Sequence, residues 1–150
     1  MKSPVIFPYL EENILHLDSV TISQVAVTTR EHPVLEVIEG QSVGGSIVTP
    51  LGDGCIRYPV RGLHPKRLPS AVVVKIDAEG SELDILSGFN LSKTELLIVE
   101  FHAEEDVIPG MAMIPKEFGL EKIDWDKAKW GKPIGVFWWV KKELKELYRI

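Results

Sequence analysis

Cysteine is nearly absent from this chain of 150 residues, and Cys55 is its one representative. A single cysteine excludes an internal disulfide, and no apolar run approaches the roughly 20 residues that a membrane-spanning helix needs. A basic and then apolar leader segment is also missing. We therefore expect a cytoplasmic protein without a membrane partner, in which Cys55 fills apolar space rather than acting as a nucleophile.

An excess of positive charge is lacking as well. The 17 lysines and arginines are outnumbered by 22 aspartates and glutamates, which gives a net charge of −5. An acidic surface repels the phosphate backbone of a nucleic acid, so nucleic acid is excluded as the main partner. The basic residues near the C-terminus alternate with Glu143 and Glu146, a pattern that indicates a solvated helix face.

Much of the remaining sequence has the alternating or β-branched pattern of short strands, and one helical segment is predicted over residues 11–17. Residues 59–69 are punctuated by prolines and predict a linker, while residues 103–115 predict a loop. The Gly-Asp-Gly at residues 52–54 predicts a hairpin turn. Strands are predicted over residues 5–7, 21–27, 34–38, 47–49, 55–58, 118–125 and 134–140.

The most informative segment is an apolar run that ends in an acid-rich turn. Residues 72–76 are followed by Asp-Ala-Glu-Gly, and a helix is predicted to begin at Ser81, with Asp84 completing a capping box. This pattern is typical of a buried parallel strand that leads into a helix. Because open α/β sheets bind ligands beyond the carboxyl ends of their strands, Asp77, Glu79 and Glu82 are candidate site residues.

A second strand is predicted over residues 95–102. Side chains alternate along a strand, so Lys75 and Asp77 share one face of the first strand, and Glu100 and His102 share one face of the second. If the two strands are neighbours, these four side chains converge at the carboxyl edge of the sheet. The alternative is a Lys75–Glu100 ion pair that neutralises two charges in an apolar sheet, with His102 simply capping its strand.

These two elements resemble the signature of the FkbM-type S-adenosylmethionine-dependent methyltransferases. The pattern Lys-Ile-Asp-(Val/Ala)-Glu-Gly-x-Glu-x-x-(Ile/Val)-Leu occupies residues 75–86, and Val-Glu-x-His occupies residues 99–102. Residues 20–27 and 42–47 resemble the third strand of that family and its small-residue segment. The resemblance implies an α/β fold with a class I methyltransferase (Rossmann-like) sheet of strand order 3-2-1-4-5-7-6, closed by a C-terminal antiparallel hairpin.

The same resemblance implies an O-methyltransferase that takes its methyl group from S-adenosylmethionine. The acceptor would be a small hydroxylated molecule, such as a sugar or a secondary metabolite. Asp77 and Ala78 would contact the cofactor, and Asp77, Glu79 and His102 would be catalytic, with His102 or Glu79 as the base. Lys75, Glu82 and Glu100 would bind the substrate, and no metal ligands are predicted.

Two parts of the family pattern have no counterpart here: the first strand with its Asp-x-Gly-Ala-x-x-Gly loop, and the acid that ends the second strand. We therefore predict a single, N-terminally truncated domain over residues 1–150, with the cofactor loop lost or supplied by another chain. The exposed edge of residues 72–76 would need a partner. Candidates are residues 5–7, residues 21–27, a second copy in a homodimer, or a partner chain. A noncatalytic, oligomeric scaffold or binding subunit is the alternative function.

Overall fold

The protein belongs to the α/β class and contains two compact units, Met1–His64 and Pro65–Ile150. The computed structural model describes residues 7–14, 16–29, 34–39, 56–78, 80–126 and 134–148. Within these ranges, no helix is both long and apolar enough to cross a lipid bilayer. The expectation that residues 1–150 form a single domain stays a prediction.

The first unit contains a short helix and a three-stranded sheet. Helix α1 spans Phe7–Ile14, and the strands are β1 (Val25–Val27), β2 (Val34–Glu39) and β3 (Ile56–Leu63). Strand β3 lies in the centre, parallel to β1 and antiparallel to β2. Strand β1 falls inside a segment that the sequence predicts as a strand, and β2 extends the predicted strand over residues 34–38 by one residue. Phe7, by contrast, begins a helix instead of belonging to a strand.

The prediction of a linker over residues 59–69 is wrong for residues 59–63, because these residues belong to β3. Pro59 lies opposite Glu36 of β2, although proline has no N–H for a ladder and is normally found at sheet edges. Strand β1 reaches only Arg61–Leu63. At Pro59, therefore, β3 has a neighbour on one side only among the described residues. The predicted hairpin turn and Cys55 lie outside those residues.

The second unit contains a four-stranded sheet in the order β4-β5-β7-β6. Strands β4 and β5 are parallel, whereas β7 runs antiparallel to both β5 and β6. The predicted strands, the helix after β4 and the C-terminal hairpin are confirmed. In chain order the elements are β4 (Val73–Ile76), α2 (Glu82–Gly88), β5 (Leu96–Phe101), α3 (Glu104–Met113), β6 (Phe118–Asp126) and β7 (Ile134–Lys141), with short 3₁₀ turns at Pro65–Arg67 and Lys142–Leu144.

One face of this sheet carries an aromatic core. Phe101, Phe137 and Trp139 are at most 3% exposed. The Phe101 and Phe137 rings meet edge to face at 5.3 Å, and the Phe137 and Trp139 rings stack at 5.6 Å. Such aromatic pairs add about 0.5–1.5 kcal/mol beyond the area they bury. This core fixes β5 and β7 side by side, and β5 in turn positions the end of β4.

The prediction of a loop over residues 103–115 is wrong, because this segment forms α3. Pro109 and Gly110 are both poor interior helix residues. Gly110 is tolerated because it packs directly against Phe101, and a Cβ atom at Gly110 would overlap the Phe101 ring. The first turn also carries three acids, whose charge favours a helix N-terminus. They are Glu104, Glu105 and Asp106.

Candidate functional site

The carboxyl ends of β4 and β5 lie next to each other because the two strands are parallel neighbours. Ile76, the last residue of β4, pairs with Val99 of β5. Asp77, Glu100 and His102 follow in this direction, and each offers one side-chain atom within 4.8 Å of the other two. The convergence expected from strand periodicity is thus observed for these three residues. We call Asp77, Glu100 and His102 the edge cluster.

Lys75 takes Asp77 as its partner rather than Glu100. Its Nζ atom lies 2.8 Å from Oδ2 of Asp77, and both side chains are partly exposed. The hydrogen bond to Asp77 raises the pKa of Lys75, and the charges of Asp77 and Glu100 add to the effect against the opposing effect of burial. The alternative of a Lys75–Glu100 pair is therefore wrong. Lys75 and Asp77 are two residues apart, so their side chains lie on the same side of the chain and can form this ion pair directly.

Glu82 is fully buried, with an exposed fraction of 0%. Its carboxylate folds back over the preceding turn, where it accepts hydrogen bonds from the amide of Ala78 at 3.1 Å and of Gly80 at 3.0 Å. Gly80 has a φ of +92°, a conformation that glycine adopts without the cost other residues pay. The Glu82 side chain has no exposed surface in this structure, and its predicted substrate-binding role stays a prediction.

The same carboxylate holds His102. Nδ1 of His102 lies 2.7 Å from Oε1 of Glu82. Burial alone would raise the pKa of Glu82, but the hydrogen bonds from His102 and from the backbone amides outweigh burial and lower it. A deprotonated carboxylate can only accept hydrogen bonds. Nδ1 of His102 therefore carries a proton, and the imidazole has a fixed orientation.

The other ring nitrogen of His102 faces the rest of the edge cluster. Nε2 lies 3.8 Å from Oδ1 of Asp77 and 3.8 Å from Oε1 of Glu100. Both distances are too long for direct hydrogen bonds. The imidazole side chain is 18% exposed, and the two carboxylates are 38% and 28% exposed. A small molecule or an ion can therefore reach all three side chains.

The surroundings of the edge cluster are acidic. Asp106 at the start of α3 has a raised pKa, first because of burial and then because of the negative charges of Glu82 and Glu105. Among the described residues of the turn and strand ends, Lys75 is the basic side chain that contacts the cluster, through Asp77. The site therefore favours neutral or cationic ligands over anions.

Two further expectations concern the turn after β4. The predicted capping box is wrong, because the Ser81 side chain makes no cap hydrogen bond and its amide donates to the carbonyl of Ala78 at 3.3 Å. The amide and the carbonyl of Ala78 are thus both used within the turn, which leaves Ala78 poorly suited to the predicted cofactor contact. Glu79 lies outside the described residues.

A separate groove lies in the first unit, between α1 and the segment that follows it. It has a volume of about 660 Å³ and is lined by a mixture of acidic and apolar side chains. Glu11, Glu12 and Asp18 are its acids. The described residues that line this groove include no histidine, whereas the edge cluster combines a histidine with a buried partner carboxylate. We therefore place the candidate site at the edge cluster.

These features define an α/β protein with an acid and histidine site at the carboxyl edge of two parallel strands. No protein-family model, no curated protein and no solved structure matches this chain.

Proposed function

We propose that this chain carries the acceptor side of an S-adenosylmethionine-dependent O-methyltransferase of the FkbM type. The observation that carries the proposal is the 2.7 Å hydrogen bond between Glu82 and His102 at the carboxyl edge of β4 and β5. The signature at residues 75–86 supports it. The sheet order β4-β5-β7-β6 also agrees with the last four strands of the order that the resemblance implies.

His102 is suited to accept a proton from a hydroxyl group. A hydroxyl becomes a good nucleophile when a positioned base removes its proton. Glu82 keeps the proton on Nδ1, so the lone pair of the neutral ring is on Nε2, on the side of the edge cluster. The carboxylates of Asp77 and Glu100, each 3.8 Å from Nε2, would stabilise the imidazolium that forms. Glu82 acts here as a positioning residue.

S-adenosylmethionine, when bound, supplies an electrophilic methyl group on its sulfonium. The described residues do not fit this cofactor on their own. The amides of Ala78 and Gly80 in the turn after β4 both donate to Glu82, so they are not available as cofactor donors. We propose that the cofactor contacts come from another segment or another chain. The residues described here would bind the acceptor and take its proton.

The negative charge of the site limits which acceptor molecules can bind. Asp77 and Glu100 lie beside Nε2 of His102, where the acceptor hydroxyl would bind, and Asp106 adds further acidic character nearby. A phosphorylated or carboxylated acceptor would be repelled there. We therefore propose a neutral hydroxylated molecule, such as an unmodified sugar or a polyketide, as the methyl acceptor.

The test is a methyl-transfer assay with radiolabelled S-adenosylmethionine and a panel of neutral sugars and polyketides. One arm contains the chain alone, and the other adds a separately produced segment with a strand and an Asp-x-Gly-Ala-x-x-Gly loop. We expect transfer in the second arm only, and loss of at least tenfold in the His102→Ala variant. Asp124→Asn on β6 is the control with unchanged transfer. Complex formation without transfer, or transfer that does not depend on His102, would exclude the proposal.

A noncatalytic binding subunit is the second candidate, and the open side of β4 favours it. Val72 and Val73 are 51% and 50% exposed. Among the described residues, β4 forms a ladder with β5 alone. An apolar edge of this kind is a template for another strand. Tight binding of a partner chain without any methyl transfer would support this second function and exclude the first.

A further inference from the structure

We propose that the edge cluster binds a divalent transition-metal cation through Oδ1 of Asp77, an oxygen of Glu100 and Nε2 of His102. The sequence predicts no metal ligands. A role of this cation in methyl transfer rests on the function proposed above. The binding of the cation itself does not depend on that function.

The distances within the edge cluster suit a shared cation. Two ligand atoms that each lie about 2.0–2.4 Å from one ion are separated by at most about 4.8 Å. The three ligand atoms of the cluster all lie within 4.8 Å of one another. Nε2 of His102 is 3.8 Å from the nearest oxygens of both Asp77 and Glu100. These separations are too long for hydrogen bonds and suitable for ligands of one ion.

The environment of each ligand also fits a metal site. Ligating histidines usually donate their second ring N–H to a carboxylate, which fixes the ring and makes it a better ligand. Glu82 fills that position, as a fully buried carboxylate 2.7 Å from Nδ1. Lys75 holds Oδ2 of Asp77 at 2.8 Å and leaves Oδ1 on the side of His102. Three carboxylates, those of Asp77, Glu82 and Glu100, face one lysine charge, so the local balance favours a cation.

The ligand types narrow the identity of the ion. Imidazole favours zinc, iron and other late transition ions, while carboxylates are also good ligands for manganese and magnesium. One imidazole with two carboxylates therefore indicates Mn²⁺, Fe²⁺ or Zn²⁺ rather than Ca²⁺ or Mg²⁺. Three protein ligands leave open positions on a six-coordinate ion, and the exposed side of the cluster lets a substrate reach them.

The cation would select acceptors that can chelate it. A molecule with two neighbouring hydroxyls, or with a hydroxyl beside a carbonyl, would fill two open positions and be oriented by them. A bound divalent ion also lowers the pKa of a coordinated hydroxyl. With Nε2 of His102 held as a ligand, this nitrogen would no longer accept the hydroxyl proton. The coordinated hydroxyl would instead release its proton to solvent water, which reaches the exposed side of the cluster.

Mn²⁺ binding to the full chain tests this inference without any cofactor or acceptor. Free Mn²⁺ is measured by its electron paramagnetic resonance signal, with millimolar MgCl₂ present to suppress nonspecific binding to carboxylates. We expect one Mn²⁺ per chain. Asp77→Asn and His102→Gln should each weaken binding at least tenfold. Glu82→Gln should weaken it by about 10–100-fold, as is typical when the partner of a ligating histidine is removed.

Asp124→Asn is the matched control, because Asp124 is a half-exposed carboxylate on β6 whose partner is Lys122. It should leave Mn²⁺ affinity unchanged. Circular dichroism shows whether each variant is folded, and Asp77→Asn changes a partly exposed side chain, so it should fold. Absence of saturable binding to the folded chain, or equal affinity in the Asp77→Asn variant, would overturn the inference. Mn²⁺ binding without methyl transfer would contradict only the proposed function.

Discussion

Glu82 connects two parts of the site through its carboxylate. A charged carboxylate without access to water is normally costly, and it is tolerated here because several hydrogen bonds compensate for the lost hydration. Two donors come from the turn at Ala78 and Gly80, and a third comes from His102. The carboxylate thereby fixes the turn after β4 and the end of β5 at the same time.

Replacing Glu82 should therefore destabilise the second unit. We expect Glu82→Ala to lower the free energy of unfolding by about 3 kcal/mol, since unsatisfied buried groups cost about 1–3 kcal/mol each and a cavity adds to this. All four tryptophans lie between residues 125 and 139, so their fluorescence in urea reports on this unit. Glu117→Ala, at an exposed position, is the control and should stay within about 0.5 kcal/mol. Equal midpoints for the two variants would contradict the prediction.

Tyr148 links the end of the chain to the start of β5 by a titratable contact. Its hydroxyl donates a hydrogen bond to Oε2 of Glu95 at 2.8 Å. This hydrogen bond raises the pKa of Tyr148, and burial and the negative charge of Glu95 act in the same direction. Because the folded pKa is raised, the contact stabilises the fold below the unfolded pKa of about 10. That contribution is lost as the pH rises through the folded pKa.

We expect Tyr148→Phe to reduce stability at pH 8 and to have no effect once the pH exceeds the folded pKa of Tyr148. Urea unfolding of both proteins across the range from pH 8 to 11.5 measures this difference. A spectrophotometric titration of tyrosinate should show that Glu95→Gln lowers the midpoint of Tyr148 toward about 10. A stability difference that grows with pH, or a midpoint unchanged by Glu95→Gln, would contradict the assignment.

At the scale of the elements, α3 shows how tertiary packing overrides local preference. Pro109 and Gly110 predict a break, because proline lacks an amide donor and glycine lowers helix propensity by about 1 kcal/mol. The helix persists because it packs against α2 and β5, and because Gly110 admits the Phe101 ring. The sequence around residues 103–115 carries no signal for a contact with a residue in another element.

Gly110→Ala tests this packing directly. Alanine is the better helix former by about 1 kcal/mol, but overpacking a tight core costs about 1–3 kcal/mol. Since Phe101 is fully buried and cannot move aside easily, we expect a net loss of about 1–2 kcal/mol in urea unfolding. Gly119→Ala is the control, because its nearest neighbour is the flexible side chain of Glu121. A more stable Gly110→Ala protein would show that the Phe101 ring adapts.

For the molecule as a whole, the second sheet was predictable because β4, β5 and β7 are largely apolar runs and β6 alternates apolar with charged residues. The gathering of Asp77, Glu100 and His102 followed from the period of two in neighbouring strands. The pairing of His102 with Glu82 could not be predicted in this way. Glu82 lies on a helix, and its carboxylate contacts both the amide of Gly80 and the ring of His102. The pairing of Lys75 with Asp77 rather than with Glu100 depends on how far each side chain extends, and strand periodicity does not predict this.

Among the described residues, one edge of β4 has no strand paired with it. Of the candidates for pairing it within the chain, residues 25–27 pair with β3 and Phe7 lies in α1. Residues 5 and 6 lie outside the described residues. The carbonyl of Val72 accepts from the amides of Glu95 and Leu96. Backbone groups alternate sides along a strand, so those of Val73 and Lys75 point to the open side.

We predict that a second copy pairs with this edge in solution, because two identical edges can pair about a twofold axis. Light scattering at increasing protein concentration should show a dimer. Val73→Pro removes an outward donor without touching the ladder to β5, and proline is accepted at such edges, so this variant should stay folded and become monomeric. Val73→Thr keeps the donor and should remain dimeric. A wild-type chain that stays monomeric at all concentrations would rule out this pairing and leave the edge for a different partner chain.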